Sequence, residues 1–211
     1  MLNSTFLKLS EVTLSDQFHA TESKDHLLLH AAMGLQTEIG EMFAALHKGQ
    51  KAYYLFDRVN FLEEVGDALW YLAIPQRLFE CDLEERSVLG SITQAQSHVK
   101  EYVKEFAKGE ADPLSNLMYC LNQDTTEFLD IMKKRIFYGR VIDQTKLDGL
   151  LSDIYDTLFM IAALMETDLG PIMDKIIKKL NARYGDKFSS FMANNRDLDA
   201  EYTILSAPAT K

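Results

Sequence analysis

The chain has 211 residues, 47% of them hydrophobic, and a formal charge of -10 from 22 basic and 32 acidic side chains. This is enough apolar material for one large or two small globular domains. The acidic balance argues against a surface that coats nucleic acid or an anionic membrane, but leaves phosphate substrates open, because a bound cation reverses the local sign. Cys81 and Cys120 make no disulfide framework and point to a reducing cytoplasm. No apolar run is long enough to span a bilayer, the polar N-terminus is no secretory signal, and there is no Gly-rich phosphate loop.

Residues 1–22 read as a lead-in with one short helix. A strongly helical pattern runs from Lys24 to about Lys48, with Gly49 as a C-terminal stop. His26 and His30 stand one turn apart on it, a metal-ligand spacing, but with no adjacent glutamate they read as structural or surface residues. After a loop over 50–56, Asp57 is an N-cap for a helix from about Arg58 to Glu80, which Pro75 should kink. Asp82 would cap a third long helix, thin in apolar stripe, to about Lys108. Asp112 and Pro113 then open a helix to about Arg135, followed by a loop over 136–143 and a helix from Gln144 to about Glu166. A last helix, opened by Asp168, Gly170 and Pro171, reaches about Tyr184. Its Lys175, Lys178, Lys179 and Arg183 gather toward the C-terminal end, where they suit the helix dipole. Residues 186–211 read as a partly ordered tail. No strand signal competes, so the fold class is all-α.

Chemistry concentrates in two pairs of acids. Glu38 and Glu41 lie three residues apart within one apolar helical pattern, and Glu64 and Asp67 repeat the spacing in the next. Each pair points to one side of its helix, beside core formers such as Leu35, Ile39, Val65 and Leu69. Gly40 and Gly66 sit inside the pairs, where a helix tolerates glycine only at a cost of about 1 kcal/mol and gains close approach of a partner. Four carboxylates converging between packed helices repel one another unless a cation lies among them. A hard divalent cation takes oxygen ligands, and magnesium also engages phosphates.

The pattern then starts over. Gly66-Asp-Ala-Leu-Trp-Tyr-Leu-Ala73 is echoed by Tyr155-Asp-Thr-Leu-Phe-Met-Ile-Ala162, which sets Asp153 on Glu64 and Asp156 on Asp67. A similar shift sets Asp124 on Glu38 and Glu127 on Glu41. The second half therefore keeps four acids in register, and an internal duplication is expected.

These motifs resemble the MazG-like nucleotide pyrophosphohydrolases. The likeness rests on Glu38-x-x-Glu41 followed by Glu64-x-x-Asp67, within Leu62-Glu-Glu-Val-Gly-Asp-Ala-Leu-Trp-Tyr-Leu72, and on Arg135-Ile-Phe-Tyr-Gly139 and Lys179-Leu-Asn-Ala-Arg-Tyr184. It covers most of residues 26–80 and 120–188. The resemblance implies a helical bundle and a magnesium-dependent hydrolysis of nucleoside triphosphates to the monophosphate and pyrophosphate, with manganese as a substitute. It implies a first repeat over 1–110 with the better acidic set, a diverged second repeat over 111–190 and a tail over 191–211, the repeats packing as one pseudo-dimeric unit that is monomeric or a homodimer. No nucleic-acid polymer or membrane is expected as a partner.

On this reading Glu38, Glu41, Glu64 and Asp67 bind metal. Glu41 or Glu64 takes the proton of a water attacking the α-phosphorus, and Lys48, Lys51, Arg58, Lys179 and Arg183 meet the phosphates. Trp70 and Tyr71 either border the base or belong to the core. Asp124, Glu127, Asp153 and Asp156 form a degenerate second set. Three departures stand against the family pattern: Thr37 occupies the place of a glutamate that precedes the first ligand, the Lys-Leu-x-x-Arg-Tyr ending stands in the second half and not in the first half with the better acids, and Ile176 occupies the place of an asparagine. The alternative is a metal- or nucleotide-binding helical module that no longer turns over. A di-iron bundle is set aside because the sequence has no Glu-x-x-His pair.

Overall fold

The computed structural model describes residues 4–12, 24–51, 56–80, 83, 87, 89, 91–106 and 112–208, apart from the side chains of 47–51 and 105–106. Among these residues there are nine helices and no strand: α1 Ser4–Val12, α2 Lys24–Lys51, α3 Arg58–Phe79, α4 Ile92–Phe106, α5 Pro113–Tyr138, α6 Gln144–Leu164, α7 Leu169–Tyr184, α8 Ser190–Asn194 and α9 Leu198–Ser206. None is long and apolar enough to cross a membrane.

Local capping chemistry sets most boundaries. The carboxylates of Asp57, Asp112 and Asp143 each accept a hydrogen bond from the backbone N–H three residues on, at 3.1, 2.8 and 3.1 Å. Pro113 takes the first position of α5, and Gly139 closes that helix in the left-handed region at φ 64°. Four boundaries differ from the sequence reading. Gly49 does not stop α2, which continues to Lys51. The long helix expected after Asp82 is interrupted: Leu83 is helical, but Ser87, Leu89 and Ser91 are not, and α4 begins at Ile92; the Ser87 hydroxyl accepts from the N–H of Leu89, and the Ser91 hydroxyl from that of Gln94, so local side-chain bonding competes with the helix there. Asp82 itself, like Cys81, lies outside the described residues. α5 runs on to Tyr138. Finally, the stretch read as a partly ordered tail carries two helices within 186–208, α8 and α9, with Asp197 as the cap of α9.

Helices α2, α3, α5 and α6 form the core of the bundle, α2 packing on both α3 and α5. Neighbours run antiparallel. Gly34 faces Tyr71 while Glu38 faces Glu64, and Asp25 pairs with Arg135 at 3.0 Å while Gln36 donates to Asn122 at 2.9 Å. The outer helices exchange places: α7, which follows α6, packs on α3, whereas α4, which follows α3, packs on α6. One continuous apolar core fills the bundle, and a small cluster of Ile176, Leu180 and Leu205 docks α9 onto α7.

The two glycines between acids prove unequal. A Cβ on Gly40 would meet nothing within 4 Å, so no close approach explains it. A Cβ on Gly66 would lie 2.1 Å from Ile176 Cγ1 and 3.0 Å from Ile172 Cγ2, so here the absence of a side chain lets α7 seat against α3. Gly66→Ala is therefore expected to destabilise the protein by about 1–3 kcal/mol, the usual cost of overpacking a tight contact. Urea denaturation measures it, and Gly40→Ala serves as the comparison, stabilising or neutral because its helix gains propensity.

Candidate metal and phosphate site

The two acidic pairs arrive where α2 and α3 face each other. Glu64 is buried, Glu38 half-buried and Glu41 exposed, and a carboxylate oxygen from each lies within 4.8 Å of the other two. Burial and the neighbouring carboxylates hold protons on the inner two. Glu38 is pushed up to about 7 by desolvation, then by Asp67 and Glu41, and Glu64 to about 9 by desolvation, then by Asp67, Glu38 and Glu41. The two also share a hydrogen bond. Such oxygens suit a hard cation, whose opposed ligands stand about 4 Å apart at magnesium distances. Among the described residues no lysine or arginine is ion-paired with these three, and Lys179 acts on Glu38 only through its charge.

Asp67 does something different. The Lys179 Nζ donates to its two oxygens at 2.8 and 2.5 Å and to Glu63 Oε1 at 3.0 Å. Lys179 is only 1% exposed. Burial works against its charge, but Asp67 and Glu63 more than compensate and raise its pKa. The lysine that the resemblance offered to a phosphate is thus engaged by carboxylates, and the fourth acid of the set is its partner.

The acids open onto a cavity of about 680 Å³. One wall is aromatic: His30, Trp70 and Tyr71 stack edge to face, with ring centroids 5.0–6.4 Å apart, and Tyr184, Phe188 and Tyr202 continue it. His30 is therefore a cavity-wall residue whose pKa burial lowers, and His26 is exposed beside it in sequence only. Arg183, 5.6 Å from the Tyr184 ring, and Arg196 line the same cavity, both bonded to Glu201 of α9. Arg183 Nε and Nη2 donate to its two oxygens at 2.7 and 2.6 Å, and Arg196 Nε and Nη2 to Oε2 at 3.1 and 2.6 Å.

The remaining sequence candidates fall elsewhere. Arg58 donates to the Met165 carbonyl at 2.6 Å and borders a smaller cavity with Lys175. The side chains of Lys48 and Lys51 lie outside the described residues. In the second half Asp124 is pushed up to about 6 by burial, then by Asp153 and Glu127, so these acids do come near one another. Glu127, however, is paired with Lys146 at 2.6 Å and Asp156 accepts from the Ser87 hydroxyl. Among the described residues this set makes no group equivalent to Glu38, Glu41 and Glu64. Thr37 is exposed, and its hydroxyl bonds back to the Gly34 carbonyl at 2.7 Å.

Sequence reasoning missed Glu63, Arg196 and Glu201. The signal for the last was present: Asp197 as a cap and Leu198, Tyr202 and Leu205 at helical spacing mark an amphipathic turn that must dock somewhere. Although burial opposes it, hydrogen bonding by Arg183 and Arg196 lowers the Glu201 pKa from 4.5 to about 2. Its folded value lies below its unfolded one, so the stabilisation is full above about 4.5 and is lost as pH falls toward 2. Acid titration is expected to release α9 in that window. The single tryptophan, Trp70, lines the same cavity and reports the release by fluorescence.

What these features define is a class: an all-α bundle with a buried carboxylate group facing an arginine-bearing, aromatic-walled cavity. Comparison with protein-family models, with curated proteins and with solved structures found no match to this chain.

Proposed function

We propose that the chain is a magnesium-dependent pyrophosphohydrolase of nucleoside triphosphates, an internally duplicated relative of the MazG-like enzymes. The observation that carries this reading is the meeting of Glu38, Glu41 and Glu64 within 4.8 Å in a cavity roomy enough for a nucleotide. Glu38, Glu41 and Glu64 would hold the cation. Bound magnesium, or manganese in its place, would chelate the polyphosphate and offset charge on the departing pyrophosphate. Lys179 fixes Asp67 and Glu63 on α3, so the ligand-bearing face of that helix is braced from behind.

Glu41, the exposed member, takes the proton as water oxygen bonds to the α-phosphorus. The bond from that phosphorus to the bridging oxygen breaks, and pyrophosphate leaves with its electron pair. Glu64, whose carboxyl already shares a hydrogen bond with Glu38, is the less accessible base. Trp70, Tyr184 and Tyr202 offer ring faces and edges to the base.

The duplication is supported by the α2–α5 contact. At a twofold axis a residue meets its own counterpart. Gln36 bonds Asn122, 86 residues on, the same shift that relates Glu38 to Asp124. The reciprocal packing of α7 on α3 and α4 on α6 follows the same symmetry. One chain then supplies what a dimer of single repeats would, and a monomer suffices.

Thr37 favours a second reading, a binding module without turnover, since its back-bonded hydroxyl cannot replace a carboxylate as base. Pyrophosphate release from a panel of standard and modified nucleoside and deoxynucleoside triphosphates decides between them. Release with formation of the monophosphate, with magnesium and not with EDTA, is the expected result. Folded protein that binds magnesium and releases no pyrophosphate from any of them would leave the binding module.

A further inference from the structure

Two cations line the cavity, Arg183 and Arg196, and a third, Lys179, is buried beside it. Each is matched by a carboxylate: Lys179 by Asp67 and Glu63, and both arginines by Glu201, with Glu63 3.7 Å from Arg196. Among the described residues, an incoming anion gains a cation here only by displacing a carboxylate. Asp67 and Glu63 cannot leave, because they stand on α3 in the middle of the core. Glu201 can. It is carried by α9, nine residues attached to the body through Leu205 on Ile176 and Leu180 and through the Lys175 bond to the Leu205 carbonyl at 2.6 Å.

Two guanidinium forks converging on one buried carboxylate also make a donor arrangement suited to a tetrahedral phosphate. If docking α9 were the whole purpose, a buried ion group would be a poor means, since apolar residues of similar volume stabilise as well or better.

We infer that Arg183 and Arg196 form a phosphate subsite which Glu201 fills as an internal stand-in, and that a polyphosphate binds there by exchanging with Glu201 and releasing α9. The inference rests on the proposed function only for the identity of the anion. Arg196 and Glu201 lie beyond the stretch that carries the family resemblance, so the device belongs to this chain's own C-terminal segment.

The test uses tripolyphosphate, which needs no turnover, with magnesium and without. Hydrogen exchange of the full-length protein is the first readout. Ligands ordinarily protect the amides they touch; exchange with Glu201 instead requires that amides of α9 exchange faster when tripolyphosphate is bound. Unchanged or slower exchange there overturns the inference. The second readout is affinity. Glu201→Gln removes the competing charge and is expected to tighten tripolyphosphate binding by about tenfold, the scale of one charge-assisted contact. Equal or weaker binding by this variant, or no binding by either protein, also overturns it. Opening of α9 in a protein that releases no pyrophosphate would sink only the catalytic reading. A turning-over enzyme with α9 closed throughout would sink only the exchange.

Discussion

Glu64→Gln is expected to make the metal-free protein more stable and to remove both its response to magnesium and its turnover. Glu64 is buried among Glu38, Glu41 and Asp67, and burial with these neighbours raises its pKa to about 9. Folding therefore forces together groups that would otherwise be solvated and charged. The amide keeps the shape and needs no proton taken up on folding, so the metal-free variant should gain about 1 kcal/mol or more, roughly 2–4 °C in melting temperature for a chain of this size. The wild type, given magnesium at a hundredfold over its Kd, gains about 2.7 kcal/mol by mass action. The variant should gain little. Turnover should fall by roughly a hundredfold or more, the scale of losing one preorganised electrostatic contact at a reacting centre. Calorimetry with and without magnesium reads the first two effects. A wild-type melting temperature that ignores magnesium would remove the cation from the site. A stabilised protein with reduced activity is the ordinary signature of a functional cluster held against its own repulsion.

Lys179→Met is expected to cost about 3–5 kcal/mol, because, among the described residues, it leaves Asp67 without a cation and Glu63 with only Arg196, 3.7 Å away, against a buried wall. The lysine donates to three carboxylate oxygens within 3.0 Å and is almost wholly buried. The methionine fills the same volume, so the loss measures charge rather than packing. Adding Asp67→Asn should recover a substantial part of it, and the double-mutant cycle by urea denaturation isolates the Lys179–Asp67 coupling. Were Asp67 chiefly a metal ligand, the lysine would be dispensable and the single variant would lose little stability. The outcome thus separates two roles for one residue: brace of the α3 face, or fourth ligand.

Much of this molecule was legible before any coordinates. Caps are local chemistry, so Asp57, Asp112 and Asp168 announced their helices within a residue or two. The acids of α2 and α3 were readable because an i,i+3 spacing fixes a common side of a helix without reference to the rest of the fold. A short loop between two amphipathic helices makes them neighbours, which brings Glu38 opposite Glu64.

Sequence by itself therefore determined the all-α class, the pairing of α2 with α3 and a set of four acids there, of which three meet and Asp67 goes to Lys179. The tertiary structure alone decided which acid each cation takes. Lys179 reaches Asp67 across 112 residues and Glu63 across 116, and no periodicity encodes a distance of that kind. On the helix dipole argument Lys179 was a C-terminal surface charge, and it is instead among the most buried side chains of the protein. The terminal helix is the same case. Its amphipathic turn is written in Asp197 through Leu205, but that Glu201 would land between Arg183 and Arg196 depends on where α7 ends and how the chain folds back. Local spacing fixes which side chains share a face, whereas pairing of charges far apart in the chain is fixed only when packing brings the faces together.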